Sequence, residues 1–441
     1  MRRTYFVMAA FFLLPLAFAR RAQAQFVGPP PSGYGALNVS TVGSNSTQGD
    51  TPGVRVSETF LLHAGLAFGA GVDSNVSYSD TNTVSSAVTH VMPQLALTNA
   101  GRGTTPDIVL NLVLNGDYRQ YYSDTVTSDK AVFGVGAGAN LDIGTQGAVT
   151  GTLFNNFTRD VQPAYTIGAP AFVRDVEQPG ARVRWRPGGG RLEEFLTYTF
   201  MYDHWESDLL NKADVISNTI DFRSSFKFLP KTALYLDINQ AFYRYPNTGG
   251  GKVSSNPFHV MLGLVGLVTP KLTATLSAGY ANGFYDSGPN PSTFAAAAEL
   301  GFLIGPFARA KLGYEHDFAN SIYGNYYDLD AIYAAWNQQV GSSFLAGLSL
   351  RYEHRDYHCP PMGSSLAIAC YLTMGDTGDD RKDNWIGLGV DAHYFPRPWF
   401  SVGAAYQLLA NVSDFTLNLS GTSTKVSFVK HQVLGVVSLT Y

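Results

Sequence analysis

His431-Gln432-Val433-Leu434-Gly435-Val436-Val437-Ser438-Leu439-Thr440-Tyr441 is the final stretch of the sequence. One set of alternate residues, Val433, Gly435, Val437, Leu439 and Tyr441, forms a mostly apolar face against Gln432, Leu434, Val436, Ser438 and Thr440. A repeat of two residues is that of a strand, not of a helix. The same alternation recurs upstream. Ile108, Leu110, Leu112, Leu114 and Tyr118 oppose Asn111, Asn115, Asp117 and Arg119, and Leu234, Leu236, Ile238 and Phe242 oppose Asp237 and Asn239. Ala308, Ala310, Leu312, Tyr314 and Phe318 oppose Arg309, Lys311, Glu315 and Asp317, and Phe344, Ala346, Leu348, Leu350 and Tyr352 oppose Ser349, Arg351, Glu353 and Arg355. A soluble sandwich would bury these apolar sets in a core, so alternation alone does not say which face is wet.

Turn spacing and strand length do say. Tight turns are expected near Gly101-Arg102-Gly103, Gly144-Thr145-Gln146-Gly147, Pro187-Gly188-Gly189-Gly190, Leu229-Pro230-Lys231, Thr269-Pro270-Lys271, Gly305-Pro306, Gly341-Ser342 and Pro396-Arg397-Pro398. Each interval holds two strands and a polar loop. The strands come to roughly 10 to 16 residues, longer than those of most soluble sheets, whereas a tilted strand needs about 9 to 11 to cross hydrocarbon. These turns separate nine hairpins. The expected fold is therefore all-β: a transmembrane antiparallel up-and-down barrel of about 18 strands, with short periplasmic turns and longer outer loops. Its first strand is expected near Thr59 to Ser79 and its last near Lys425 to Tyr441.

At the other end, Arg2 and Arg3 precede an apolar run from Tyr5 to Ala19, and Ala22-Gln23-Ala24 follows. That order is the pattern of a cleaved signal peptide over residues 1–24. Residues 25–57, rich in Pro, Gly, Ser and Thr, read as a flexible leader, and residues 58–441 as the outer-membrane barrel. The signal peptide carries four of the 30 basic residues and no acid, so the remainder has 26 against 34, or −8. Nucleic acid is not expected as a partner. Charged residues make up only 15% of the chain and Gly numbers 45, which suits a wall that meets lipid and bends at glycines.

Gly69-Ala70-Gly71-Val72-Asp73-Ser74-Asn75-Val76, together with the hairpin layout from about residue 58 onward, resembles the beta-barrel porin 2 family of bacterial outer-membrane proteins. The resemblance implies a barrel in the bacterial outer membrane, in some members associated with release of exopolysaccharide. It also implies that the barrel-insertion machinery reads the terminal aromatic, here Tyr441. It carries over no catalytic residue.

A barrel of this size encloses water, and its polar alternates are then the pore-lining candidates. They are Arg182, Arg184, Arg186, Arg191, Glu193, Asp203, Asp221, Arg223, Lys227, Asp237, Arg309, Lys311, Glu315, Asp317, Arg351 and Glu353. Their order along the strands predicts a lumen basic toward the periplasm and acidic farther out. The alternative is pairing across strands, Arg184 with Glu193 or Arg351 with Asp330, which leaves only a hydrated wall. Tyr198, Phe200, Tyr202, Tyr326, Tyr327, Trp385, Tyr394 and Trp399 are expected in interfacial girdles. Trp205, Tyr235 and Tyr243 are inward candidates for stacking on sugars. Cys359 and Cys370 are expected to close an outer loop as a disulfide, the alternative being a metal site with His354 and His358.

No G-x-S-x-G, H-E-x-x-H or phosphate-binding glycine loop occurs, so neither catalysis nor a cofactor is expected. His316 beside Glu315 is the nearest catalytic candidate. The expected function is an outer-membrane pore for hydrophilic solutes. An exopolysaccharide export conduit is the alternative, and a surface-structural or adhesive barrel a further one. Membrane lipid and a small solute or polysaccharide are the expected partners.

Overall fold

The computed structural model describes residues 53–99, 106–123, 130–162, 172–206, 214–247, 252–321, 325–358, 381–413, 415–419 and 422–441. The signal-peptide segment, most of the leader, the first of the expected turns and both cysteines lie outside the described residues. So does the disulfide expected between those cysteines.

The strands are β1 (Val54–Arg55), β2 (Leu61–Asp73), β3 (Ser86–Thr98), β4 (Ile108–Tyr121), β5 (Ala131–Ile143), β6 (Val149–Gln162), β7 (Phe172–Trp185), β8 (Leu192–Trp205), β9 (Val215–Leu229) and β10 (Thr232–Arg244). They continue as β11 (Phe258–Thr269), β12 (Leu272–Asn282), β13 (Ser292–Gly305), β14 (Ala308–Asn320), β15 (Tyr326–Val340), β16 (Phe344–His358), β17 (Lys382–Arg397) and β18 (Phe400–Ser413). A short hairpin, β19 (Thr416–Leu419) with β20 (Thr422–Lys425), precedes β21 (Phe428–Thr440).

From β2 to β18 each strand pairs antiparallel with the next, and β21 pairs with both β18 and β2, which closes the ring. The sheet has 19 strands; leaving out the two-residue β1, the wall has 18, as nine hairpins require. At about 4.8 Å between strands and a tilt near 40°, the wall is roughly 35 Å across. The short turns and the start of β2 share one end, called here the turn end, and the long connections share the loop end. Gly144 (φ 75°) and Gly341 (φ 61°) take the left-handed backbone that two of the tight turns require. β1 extends the edge of β2 below the closing strand, Val54 opposite Leu62, so the last residues of the expected leader join the wall.

Burial inverts the soluble pattern. Leu66, Leu114, Leu196, Leu262, Leu312, Leu348 and Val433 are exposed, whereas their polar neighbours Asp73, Arg119, Asp203, His259, Asp317, Glu353 and Gln432 are buried. The apolar alternates therefore face outward all round, and only hydrocarbon hides such a surface. This is the wall of a bacterial outer-membrane barrel.

Two aromatic belts bound the apolar band. Trp185, Phe226, Phe228, Phe302, Phe307, Phe344, Tyr394, Trp399 and Tyr441 form an exposed belt at the turn end. The other is built of tyrosines on the even-numbered strands. Tyr118 bonds Gln120 at 2.9 Å, Tyr198 Asn218 at 2.6 Å, Tyr280 Ser292 at 3.0 Å, Tyr314 Asp330 at 2.6 Å, Tyr352 Asn384 at 2.7 Å and Tyr406 His431 at 2.9 Å. Each partner lies on the same face, one pleat nearer the loop end. The phenols thus all point to that end, apolar ring in lipid and oxygen toward the headgroups.

Candidate functional site: the lumen

Alternation places the inner face. On β7, Val183 and Trp185 are exposed to the outside, so Arg182 and Arg184 project inward, and Arg186 follows them at the strand end. By the same count Glu193 and Asp203 are inward on β8, Asp221, Arg223 and Lys227 on β9, and Asp237 on β10. Arg309, Lys311, Glu315 and Asp317 are inward on β14, and Arg351 and Glu353 on β16. Arg191 is different. It sits in the turn before β8, and its guanidinium lies over the Phe226 ring at 5.2 Å, on the outer wall.

The inner surface differs from end to end. Toward the loop end the inward charges are buried and matched. Arg174 holds Asp203 through bonds of 2.7 and 2.6 Å, Lys430 Nζ is 2.6 Å from Asp73, and Arg119 Nε is 2.6 Å from Asp117, which also contacts His90 at 2.9 Å. Arg355 Nε is 2.9 Å from Glu353, Arg381 Nε is 3.0 Å from Asp383, and His259 is 3.1 Å from Asp317. Of the four acids expected to make the outer half acidic, Asp203 meets Arg174, Asp317 meets His259 and Glu315 lies 3.6 Å from Arg351, so these three are matched rather than free. Aromatics fill the gaps: Arg355 stands over Tyr327 (5.2 Å) and Trp385 (4.7 Å), and Arg174 over Trp205 (5.3 Å). Tyr327 and Trp385, expected in a girdle, have the inward parity of β15 and β17, since Ile332 and Val390 face out, and Tyr326 joins a buried cluster with Met261 and Phe318. Inward Trp205, Tyr235 and Tyr243 are likewise buried among side chains.

The turn end is wetter and more basic. Arg184 has a quarter of its side chain exposed and Lys311 more than a third, against 8% for Arg174 and 1% for Arg381. Arg182 donates to Thr197 (3.0 Å) and Arg184 to Thr150 (3.1 Å), while Glu193 is 4.0 Å from Arg184. Threonine hydroxyls hold these guanidinium groups, and Glu193 and Asp142 are acids that act on Arg184. Lys311 reaches Glu299 only at 3.7 Å, and Lys227 and Arg309 are exposed. Arg351 does not meet Asp330, which is on the outer face with Tyr314 and His316; it bonds Glu353 and lies 3.6 Å from Glu315. At mid-height Arg223 lies over Tyr235 (4.1 Å) and 3.5 Å from Asp237.

His316 is held by Asp330 at 2.9 Å on the outside of the wall, His354 by Asn384 at 3.0 Å and His358 by Asp328 at 2.9 Å. No group of three or more metal-ligating side chains occurs among the described residues. Arg174, Lys430, Asp73, Arg381 and Asp383 are lumen charges absent from the sequence-derived set. Their signal was there for some of them: Arg174 shares the parity of Arg182, and Lys430 that of Gln432.

No protein-family model matches this sequence, and no curated protein is similar to it. Among solved structures, OpdK of Pseudomonas aeruginosa with vanillate is similar at a TM-score of 0.45 and 10% identity, over 86% of this chain and 99% of that one. OpdQ of the same organism gives 0.46 and 11% over 87% and 97%, and its siderophore receptor PirA gives 0.40 and 8% over 86% and 80%. At such identities and TM-scores the likeness says nothing of cargo, and the barrel stands on its own geometry. The resemblance to the beta-barrel porin 2 family is matched by no family model and stays at the level of an outer-membrane barrel.

Proposed function

We propose that this protein is an outer-membrane pore for small hydrophilic solutes that favours anions at its turn end, the periplasmic end in barrels of this type. One observation carries the reading: a closed wall of this circumference has apolar side chains outside and, at the turn end, an inner face on which Arg and Lys outnumber the acids. Arg182, Arg184, Arg186, Lys227, Arg309 and Lys311 lie there with Asp142, Glu193, Glu299 and Asp391, six basic groups to four acids where the inner face is most exposed. A low-dielectric wall focuses that field on entering solutes. Purified protein added to a planar bilayer should give discrete conductance steps whose reversal potential in a salt gradient favours the anion. A bilayer left silent at high protein load would contradict it.

An exopolysaccharide conduit and an adhesive barrel have no specific observation of the described residues in their favour. Tyr441, exposed on the outer face where β21 meets β2, suits a handle for the insertion machinery, and that role belongs to the same proposal.

A further inference from the structure

The ladder between β13 and β14 stops at Ala296 opposite His316, although β13 begins at Ser292 and β14 runs on to Asn320. Four residues of each strand thus lie beyond the last pair. Alternation from Leu312 and Tyr314 would put Phe318 on the outer face. It is instead 1% exposed and packs with Met261, Ala281, Ala295 and Tyr326. Met261 and Ala281 are inward residues of β11 and β12, since Leu262 and Tyr280 beside them face out. The end of β14 has therefore crossed the inner wall of three strands.

Several contacts hold it there. The Phe318 ring stacks on His259, 5.2 Å between centroids and 14° between planes, and His259 Nε2 is 3.1 Å from Asp317. Tyr285 bonds Asn320 and donates to the Asn325 carbonyl at 2.9 Å. Asn325 donates to the carbonyls of Ser287 (2.9 Å) and Pro289 (3.1 Å), and Lys252 donates to the Ser321 carbonyl. β11, the connection before it and the one before β13 all pin the same tip.

We propose that the described ends of the β14–β15 hairpin, Asp317–Ser321 and Asn325–Tyr326, form a flap with two resting arrangements, the folded-in one above and one zipped onto β13. Continuing the existing register without a slip pairs Ala295 with Asp317, Phe294 with Phe318, Thr293 with Ala319 and Ser292 with Asn320. Phe318 then turns outward beside Phe294, itself 61% exposed. The two arrangements exchange ring burial and the His259, Tyr285, Ser287, Pro289 and Lys252 contacts for backbone pairing along an edge that the folded-in tip leaves open, β15 staying paired with β16 as far as Tyr326 opposite His358. Because the register already runs to Ala296, zipping needs a hinge but no sliding. Zipping withdraws Phe318 and Tyr326 from the loop-end mouth, so the flap gates one side of the passage. The gating role rests on the pore reading; the two arrangements do not.

Two cysteine pairs distinguish them, both with Cys359→Ser and Cys370→Ser. Met261→Cys with Phe318→Cys traps the folded-in tip, and Phe294→Cys with Phe318→Cys traps the zipped one. Oxidation of the membrane-inserted barrel should form both crosslinks, seen as gel shifts and linked peptides. The 294–318 crosslink should raise single-channel conductance at least two-fold over the 261–318 crosslink, and reduction should abolish the difference. No 294–318 crosslink overturns the two arrangements, and equal, non-zero conductance of the two trapped forms overturns the gate. His259→Ala, which removes the inner partner of the flap without altering it, should speed 294–318 crosslinking several-fold; an unchanged rate overturns it as well. Crosslinking needs no current, so a barrel that forms both crosslinks and conducts nothing would sink the pore reading and leave the flap standing.

Discussion

Arg174 of β7 gives both of its outer hydrogen bonds, 2.7 and 2.6 Å long, to the two oxygens of Asp203 on β8, and Asp203 has no exposed surface at all. A bidentate pair fixes both planes, and here it bridges two strands on the inner wall near the loop end. Breaking it by Arg174→Ala should leave a buried carboxylate without its cation and lower stability by about 3 to 5 kcal/mol. Replacing both residues by Leu should cost much less. Urea unfolding in detergent, followed by the gel mobility of folded barrel, measures both; equal losses would mean that the charges matter only as volume.

Leu348 and Ser349 are neighbours on β16 with opposite fates, Leu348 being 42% exposed on the outer wall while Ser349 faces in. An arginine at mid-membrane on the lipid side costs about 2 to 4 kcal/mol. Leu348→Arg should show a loss of that order in the same unfolding assay, and Ser349→Arg should not, since its guanidinium enters water. The reverse order would put the faces the wrong way round.

The anion preference should reside in β7. Changing Arg182, Arg184 and Arg186 together to Gln keeps hydrogen-bonding bulk beside Thr150 and Thr197 and removes three charges from the wet end. The anion-to-cation permeability ratio should fall by roughly two-fold or more, with conductance largely retained. A reversal potential that does not move would assign the selectivity elsewhere.

Lys252 lies outside the strands, in the connection between β10 and β11, and burial pulls its ammonium down to about 7. The folded connection therefore binds fewer protons than the unfolded one, and its stability rises with pH between about 7 and the ordinary lysine value of 10.5. Amide exchange of residues 252–256, corrected for its intrinsic pH dependence, should slow across that window. Lys252→Met should flatten the trend; a trend that survives the substitution would point to another group.

The barrel was legible because its physics is local. Period-two alternation, turn residues and strand length are properties of single segments, and together they give the 18 wall strands. What segments do to one another was not legible. Asp203 looked like free acid in the sequence, since Arg174 lies a strand away. Phe318 obeyed the outward parity of its strand in the sequence and breaks it in the fold, where it stacks on His259 three strands away along the inner wall. Tyr327 and Trp385 were placed in the girdle by their nearness to strand ends, although the alternation that puts Ile332 and Val390 outside puts both rings inside, where Arg355 lies over each.

The account depends most on which face of each strand meets hydrocarbon. Nitroxide labels placed singly at residues 346 to 353 of β16, in the barrel reconstituted in lipid, report this through collision with oxygen and with a water-soluble nickel chelate. Oxygen accessibility should peak at the even positions, Leu348, Leu350 and Tyr352 among them, and nickel accessibility should not exceed background there. Oxygen peaks at Gly347, Ser349, Arg351 and Glu353, or no two-residue period at all, would contradict a lipid-facing apolar wall around an aqueous lumen.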